Sequence, residues 1–84
     1  MKKLKDHIPE CPPEFSDLEV IFEAYWSDYE DCGWVVVFLF FDELMVCEGG
    51  YSVMAEDNSF LFDPYCITLE DLEELEQEWA EWAV

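Results

Sequence analysis

Basic side chains are almost absent from this sequence. It contains no arginine, three lysines and one histidine against 22 aspartates and glutamates, so the formal net charge is −19. The lysines and the histidine all lie in residues 2–7. Almost no carboxylate can therefore find an intramolecular cation, and self-repulsion must weaken the fold. This balance argues against nucleic acid or a membrane as a direct partner and favours a basic protein.

Residue patterns that carry catalysis or bind metals are also missing. A nucleophilic site needs a base beside Ser or Cys, and the one histidine, His7, lies in a proline-rich segment. There is no CxxC pattern and no glycine-rich phosphate loop. Residues 28–33 partly match a calcium loop, but Leu39 stands where the bidentate glutamate is required. We therefore expect no enzyme activity, no cofactor and no metal site.

The N-terminus lacks the features of an export signal. Its lysines are not followed by an apolar stretch, so it is not a secretory signal. We expect a cytoplasmic protein in which Cys11, Cys32, Cys47 and Cys66 are free thiols, with a disulfide framework as the alternative. Residues 1–14 contain three prolines and little periodicity, which predicts a flexible N-terminal arm. Residues 15–84 would then form a single acidic domain, and the aromatic content of 18 % indicates that this domain folds.

The longest apolar run, Trp34–Phe41, predicts the central strand. It opens after a glycine and contains only β-branched or aromatic residues apart from one leucine. Val36 and Phe38 would lie on one face of this strand, and Val35 and Val37 on the other. Because both faces are apolar, both must be covered.

Residues 17–26 are compatible with either a strand or a helix. Ser16 and Glu19 form a capping box, which favours a helix start. Apolar alternation from Leu18 to Trp26 favours a strand, although Ile21 interrupts it. A helix here could cover the second face of the central strand. A strand, which the composition slightly favours, would leave that face for a homodimer partner.

Turn signals divide the next part of the chain. Asp42-Glu43 predicts a turn into a strand at Leu44–Cys47, and Gly49-Gly50 predicts a two-residue hairpin. Tyr51–Ala55 would be the returning strand and Phe60–Phe62 a short edge strand. Together with the C-terminus, these signals predict an α+β fold: an antiparallel three- to four-stranded meander packed by a C-terminal amphipathic helix.

The C-terminal helix has the clearest sequence signature. Thr68 is an N-cap with Asp71 three residues later, and helical periodicity continues to about residue 83. One stripe is apolar and consists of Leu69, Leu72, Leu75, Trp79 and Trp82. We expect its two tryptophans to pack on the sheet face that contains Val36 and Phe38.

The other side of this helix carries acids without compensating lysines. Glu70–Glu74 and Glu74–Glu78 are like-charge pairs that destabilise a helix. The acids between residues 70 and 81 amount to one charge per roughly 2.4 Å at about 1.5 Å rise per residue, whereas duplex DNA carries one per about 1.7 Å. Further acids lie in predicted turns. The candidate partner-binding residues are Glu70, Asp71, Glu73, Glu74, Glu76, Glu78, Glu81, Asp28, Glu30, Asp31, Asp42, Glu43, Glu56 and Asp57.

A small, aromatic-rich and lysine-poor acidic domain resembles the phage and mobile-element inhibitors that mimic DNA, namely anti-restriction proteins, anti-CRISPR proteins and uracil-DNA glycosylase inhibitors. The resemblance rests on the composition of the chain and on its acidic segment LEDLEELEQEWAEW, residues 69–82. It implies blockade of the basic nucleic-acid-binding surface of a host nuclease, CRISPR effector or DNA-binding protein. The alternatives are a cytosolic immunity protein or antitoxin that neutralises a basic toxin, and an unrelated interaction domain.

Overall fold

The computed structural model describes residues 2–27, 29–52 and 62–83. In chain order the elements are α1 (Leu4–His7), β1 (Val20–Ser27), β2 (Asp31–Phe40), β3 (Glu43–Ser52), β4 (Tyr65–Cys66) and α2 (Leu69–Glu78), with 3-10 turns at Pro13–Phe15 and Ala80–Trp82. The strands form one antiparallel sheet in the order β1-β2-β3-β4. The predicted α+β meander with a C-terminal helix is confirmed.

The ambiguous stretch at residues 17–26 forms a strand from Val20 onward. Its register against β2 shifts at Ile21, because Val20 pairs with Phe38 whereas Phe22 pairs with Val37. The extra residue of a β-bulge moves the following side chains to the other face. Val20 therefore shares a face with Phe38, and Phe22 shares a face with Val37. The bulge also explains why Ile21 interrupts the alternation in the sequence.

The hairpin between β2 and β3 turns at Phe41 and Asp42. Both residues have positive φ, 48° and 67°, as the central residues of a type I′ hairpin turn do. The chain reverses here, and β3 then continues without a break through the two glycines. The hairpin predicted at Gly49-Gly50 is therefore wrong. Tyr51 belongs to β3 and does not begin a returning strand.

The remaining predicted strand positions fall partly outside the described residues. This applies to residues 53–55 of the returning strand and to residues 60–61 of the predicted edge strand. Phe62 is described and lies outside the strands. Within the described residues, the strand that pairs with β3 on this side of the sheet is β4, in which Tyr65 pairs with Val46 and Cys66 with Met45.

One face of the sheet, which we call the helix face, packs against α2. Its buried core consists of Ala24, Val35, Val37 and Val46, and Leu72, Leu75 and Trp79 pack on this core. The expectation that the helix tryptophans pack against Val36 and Phe38 is wrong. Successive residues of a strand point to opposite sides, and the helix occupies the side of the odd-numbered residues of β2.

The other face, which we call the N-terminal face, is covered by the start of the chain. Leu4 and Ile8 are only 0 and 2 % exposed and pack with Val36 and Phe38. Backbone hydrogen bonds from Leu4 N to Leu18 O and from Val20 N to Lys2 O, 2.9 and 3.0 Å long, hold the segment beside β1.

This cover corrects two predictions. The described part of residues 1–14, interpreted from the sequence as a flexible arm, supplies two core residues, because apolar burial outweighs the extended bias of the prolines. The chain also covers the N-terminal face itself, so a homodimer partner is not needed to cover the second face of the central strand.

Candidate functional site

The acidic residues of α2 are held outward by a capped and docked helix. Thr68 N donates to Asp71 Oδ2 at 3.0 Å, and Asp71 N donates to Thr68 Oγ1 at 3.2 Å, which closes a capping box. Leu72, Leu75 and Trp79 face the sheet. The predicted acids of this region are exposed: Glu70, Asp71, Glu73, Glu74, Glu76, Glu78 and Glu81. The regular helix ends at Glu78, earlier than predicted, so Glu81 lies in the following 3-10 turn.

The turn between β2 and β3 brings two more predicted acids next to the start of α2. Asp42 and Glu43 line a groove of about 490 Å³ that Leu69 of α2 also lines. Leu39, Leu44 and Ile67 contribute apolar walls, and Cys66 also lines the groove. Leu69 is 71 % exposed, so an apolar side chain lies open between carboxylates. Two groups of acids that are distant in sequence thus form one surface.

Glu48 belongs to the same surface, although it is not among the candidates predicted from the sequence. It lies on the helix face of β3, where Tyr65 Oη donates to its Oε1 at 3.2 Å. Burial raises the pKa of the Tyr65 hydroxyl, and the nearby charge of Glu48 raises it further. A cleft of about 290 Å³ joins Tyr65 to Asp71, Glu74 and Glu78. The pairing of Tyr65 with Val46 in the register of β4 causes this juxtaposition, and no local pattern signals it.

We call this set the acidic helix surface: Asp42, Glu43, Glu48, Glu70, Asp71, Glu73, Glu74, Glu76, Glu78 and Glu81. The structure does not bring every predicted site residue into it. Glu30 and Asp31 lie at the other end of β2 from Asp42 and Glu43. Asp28, Glu56 and Asp57 lie outside the described residues.

The lysine and histidine side chains lie on the opposite side of the sheet. Lys2 Nζ is 2.5 Å from Glu23 Oε1, and His7 Nδ1 contacts Glu23 Oε2. Lys3 and Lys5 both lie 3.5 Å from Asp17, and their charges lower the pKa of its carboxyl. In the described residues these lysine and histidine contacts involve Glu23 and Asp17, and none of them reaches the acidic helix surface.

Metal binding and thiol reactivity depend on how the carboxylates and cysteines are placed. Within the part of the chain that the structure describes, no three His, Cys, Asp or Glu side chains are placed to hold a metal ion. The four cysteines are free thiols, as predicted. The exposed one, Cys66, donates from Sγ to Glu43 Oε2 at 3.4 Å, and this hydrogen bond raises the pKa of its thiol. A thiol held in its protonated form is a weak nucleophile.

None of the helices in the described ranges is both long and apolar enough to cross a bilayer. Comparison with known proteins gives no relative from which a role could be transferred. No family model, curated protein or solved structure matches the chain.

Proposed function

We propose that this protein is a DNA-mimic inhibitor that acts in the cytoplasm of a host cell. It occupies the basic nucleic-acid-binding surface of a nuclease, a CRISPR effector or another DNA-binding protein. It binds that protein directly and does not bind nucleic acid or membrane. It has no catalytic role and uses no cofactor.

The observation that carries the proposal is the separation of charge across the sheet. The lysines and the histidine pair with Glu23, on the N-terminal face of β1, and with Asp17, in the turn before β1. The acids of α2 stand exposed on the side of the helix face. The six acids within α2 occupy about 15 Å of helix at about 1.5 Å rise per residue. Their linear density is of the same order as the one charge per about 1.7 Å of duplex DNA. A groove lined with lysine and arginine would therefore accept either.

A second candidate is an immunity protein or antitoxin that neutralises a basic toxin. One observation favours it: Phe41 is 85 % exposed and Leu69 71 % exposed, and both lie next to the acids Asp42 and Glu43. Apolar anchors surrounded by charge are typical of specific protein interfaces. Such a protein would bind its toxin without necessarily covering a nucleic-acid site.

Displacement from DNA tests the proposal. Proteins of the source cells are bound to immobilised duplex DNA and eluted with the purified chain. Two variants that each lose three charges serve as a matched pair. One is Glu70→Gln/Glu74→Gln/Glu81→Gln on the acidic helix surface. The other is Glu10→Gln/Glu14→Gln/Glu19→Gln, whose exposed side chains lie in the N-terminal segment.

We expect the unmodified chain and the N-terminal variant to displace the same basic protein, and the helix variant to displace little of it. Circular dichroism should show that both variants are folded. In the helix variant, removal of the Glu70–Glu74 pair relieves like-charge repulsion, and the N-terminal variant changes only exposed side chains. Equal displacement by both variants would show that the helix is not the contact surface. Failure of the unmodified chain to displace any protein would contradict DNA mimicry.

A further inference from the structure

Three indole rings and one carboxylate meet at the C-terminal end of α2. Trp26 of β1, Trp79 and Trp82 line a cleft of about 240 Å³ together with Glu78. Trp82 is 44 % exposed, so the cleft opens to solvent beside a charged group. We call it the tryptophan cleft. Three of its four lining residues are tryptophans.

Two walls of the tryptophan cleft, Trp26 and Trp79, are packed against the sheet. Trp26 lies across Gly33 of β2, where a Cβ would fall 2.4 Å from the indole Nε1. Trp79 packs on the core of the helix face.

Trp82 is held by the 3-10 turn, in which its N–H donates to Trp79 O at 2.9 Å. The antiparallel bridge between Ala24 and Ala83 then ties the end of the chain to β1. Packing thus positions the rings of Trp26 and Trp79, and the backbone of Trp82 is anchored beside them.

Aromatic faces with a carboxylate beside them attract organic cations. The quadrupole of an indole ring places negative potential over its face, and tryptophan is the strongest of the aromatic side chains in this interaction. The chain's own lysines and histidine lie in residues 2–7. Their side chains contact Glu23 and Asp17, neither of which lines the cleft. A cation in this cleft must therefore come from another molecule.

We propose that the tryptophan cleft is a binding site for a cationic side chain of the basic partner protein. Arginine is the preferred group, because its planar guanidinium stacks on aromatic rings and can form a forked pair with the carboxylate of Glu78. This proposal rests on the proposed function only for the source of the cation. Binding of the cation is a property of this chain alone, so it can be tested without the partner.

The probe is N-acetyl-arginine amide, titrated into the ¹⁵N-labelled full chain while the four indole N–H signals are followed by NMR. Trp34 is an internal control, because it lies on the opposite face of the sheet, across Gly49. The neutral isostere N-acetyl-citrulline amide controls for the charge. Glu78→Gln and Glu81→Gln remove the same charge from neighbouring positions, but only Glu78 lines the cleft.

We expect saturable shifts of the Trp26, Trp79 and Trp82 signals with the arginine probe and no comparable shift of Trp34. The citrulline probe should bind about two- to fivefold more weakly, or not at all. Glu78→Gln should weaken arginine binding, and Glu81→Gln should have a much smaller effect. Trp82→Ala should abolish saturable binding while keeping the fold, since Trp82 lies outside the core of the helix face.

Equal shifts with both probes, equal effects of the two Gln variants, or a Trp34 shift as large as the others would overturn the proposal. Any of these results would show general attraction to an acidic protein. If the arginine probe binds as expected but the chain displaces no protein from DNA, the cleft stands and the proposed function fails.

Discussion

Individual residues show how two large aromatic side chains fit on so small a sheet. Trp34 lies across Gly49 of β3, and Trp26 lies across Gly33 of β2. Each tryptophan is paired in register with the glycine that it covers. A glycine inside a strand often marks a close approach by another group. Here that group is an indole ring, which takes the space of the missing side chain.

The contact between Trp34 and Gly49 predicts the cost of adding one methyl group. In Gly49→Ala the new Cβ would lie 2.3 Å from the Trp34 ring, so the ring must move. We expect a loss of about 1–3 kcal/mol in the free energy of unfolding, as overpacking generally causes. Urea denaturation measures the loss, and Trp34→Ala is the background in which the same glycine change should cost much less. An equal cost in both backgrounds would show that the ring is not the obstacle.

The hydrogen bond between Cys66 and Glu43 predicts slow alkylation of an exposed thiol. Because this bond raises the pKa of Cys66, less thiolate is present at pH 8 than an ordinary cysteine would show. Glu43→Gln should lower the pKa and increase the rate of reaction with iodoacetamide at Cys66, followed by peptide mass spectrometry. Glu48→Gln removes a carboxylate that contacts Tyr65 instead and should leave the rate nearly unchanged. If Glu43→Gln leaves the rate unchanged, the hydrogen bond to Glu43 does not control the reactivity of Cys66.

At the scale of elements, local patterns predicted α2 and β2 well. The capping pair Thr68 and Asp71, with leucines at helical spacing, needs no knowledge of the rest of the chain. The predicted hairpin at Gly49-Gly50 failed because those glycines serve cross-strand packing and not a turn. The positive-φ turn that replaces it carries Phe41 and Asp42, and Phe41 is an unusual residue for that conformation.

The prediction of a flexible N-terminal arm was wrong for a different reason. Its prolines obscured an apolar spacing of four and three residues through Leu4, Ile8, Cys11, Phe15 and Leu18, all of which contribute to one core cluster. That spacing was a usable signal. Residue spacing could not have predicted the tryptophan cleft, because the cleft depends on the register of β1 and on the residue at which α2 ends.

The burial of Leu4 predicts that the N-terminal segment is part of the cooperative fold. Leu4→Ala should lower the free energy of unfolding by about 2–5 kcal/mol, as truncation of a buried leucine does. Leu69→Ala is the matched control, because the same change at a side chain that is 71 % exposed should cost far less. Thermal or urea unfolding followed by circular dichroism distinguishes them. Similar stabilities for the two variants would show that the segment does not cover the sheet.

At the scale of the whole molecule, the negative charges that favour binding of a basic partner also destabilise the fold. A net charge of −19 is confined to a molecule with a radius of gyration of 12.9 Å. Most of these charges lie within a few screening lengths of one another, since the Debye length is about 10 Å at 0.1 M salt and about 3 Å at 1 M. Salt should therefore act in opposite directions on folding and on binding.

We expect the melting temperature of the free chain to rise when sodium chloride is increased from about 0.1 to about 1 M, because self-repulsion is screened. The variant Glu70→Gln/Glu74→Gln/Glu81→Gln should show a smaller rise. Over the same range, affinity for the basic partner should fall steeply. A melting temperature that falls with salt would indicate that net attraction, and not repulsion, dominates the free protein.

The most direct test of the central claim is competition between the chain and duplex DNA for the purified partner. The dissociation constant of the chain is measured at increasing concentrations of DNA. Occupation of the nucleic-acid-binding surface predicts that the apparent constant rises in proportion to the DNA concentration and that no ternary complex forms. An affinity that saturating DNA leaves unchanged would contradict DNA mimicry and would favour neutralisation of a basic toxin at a separate site.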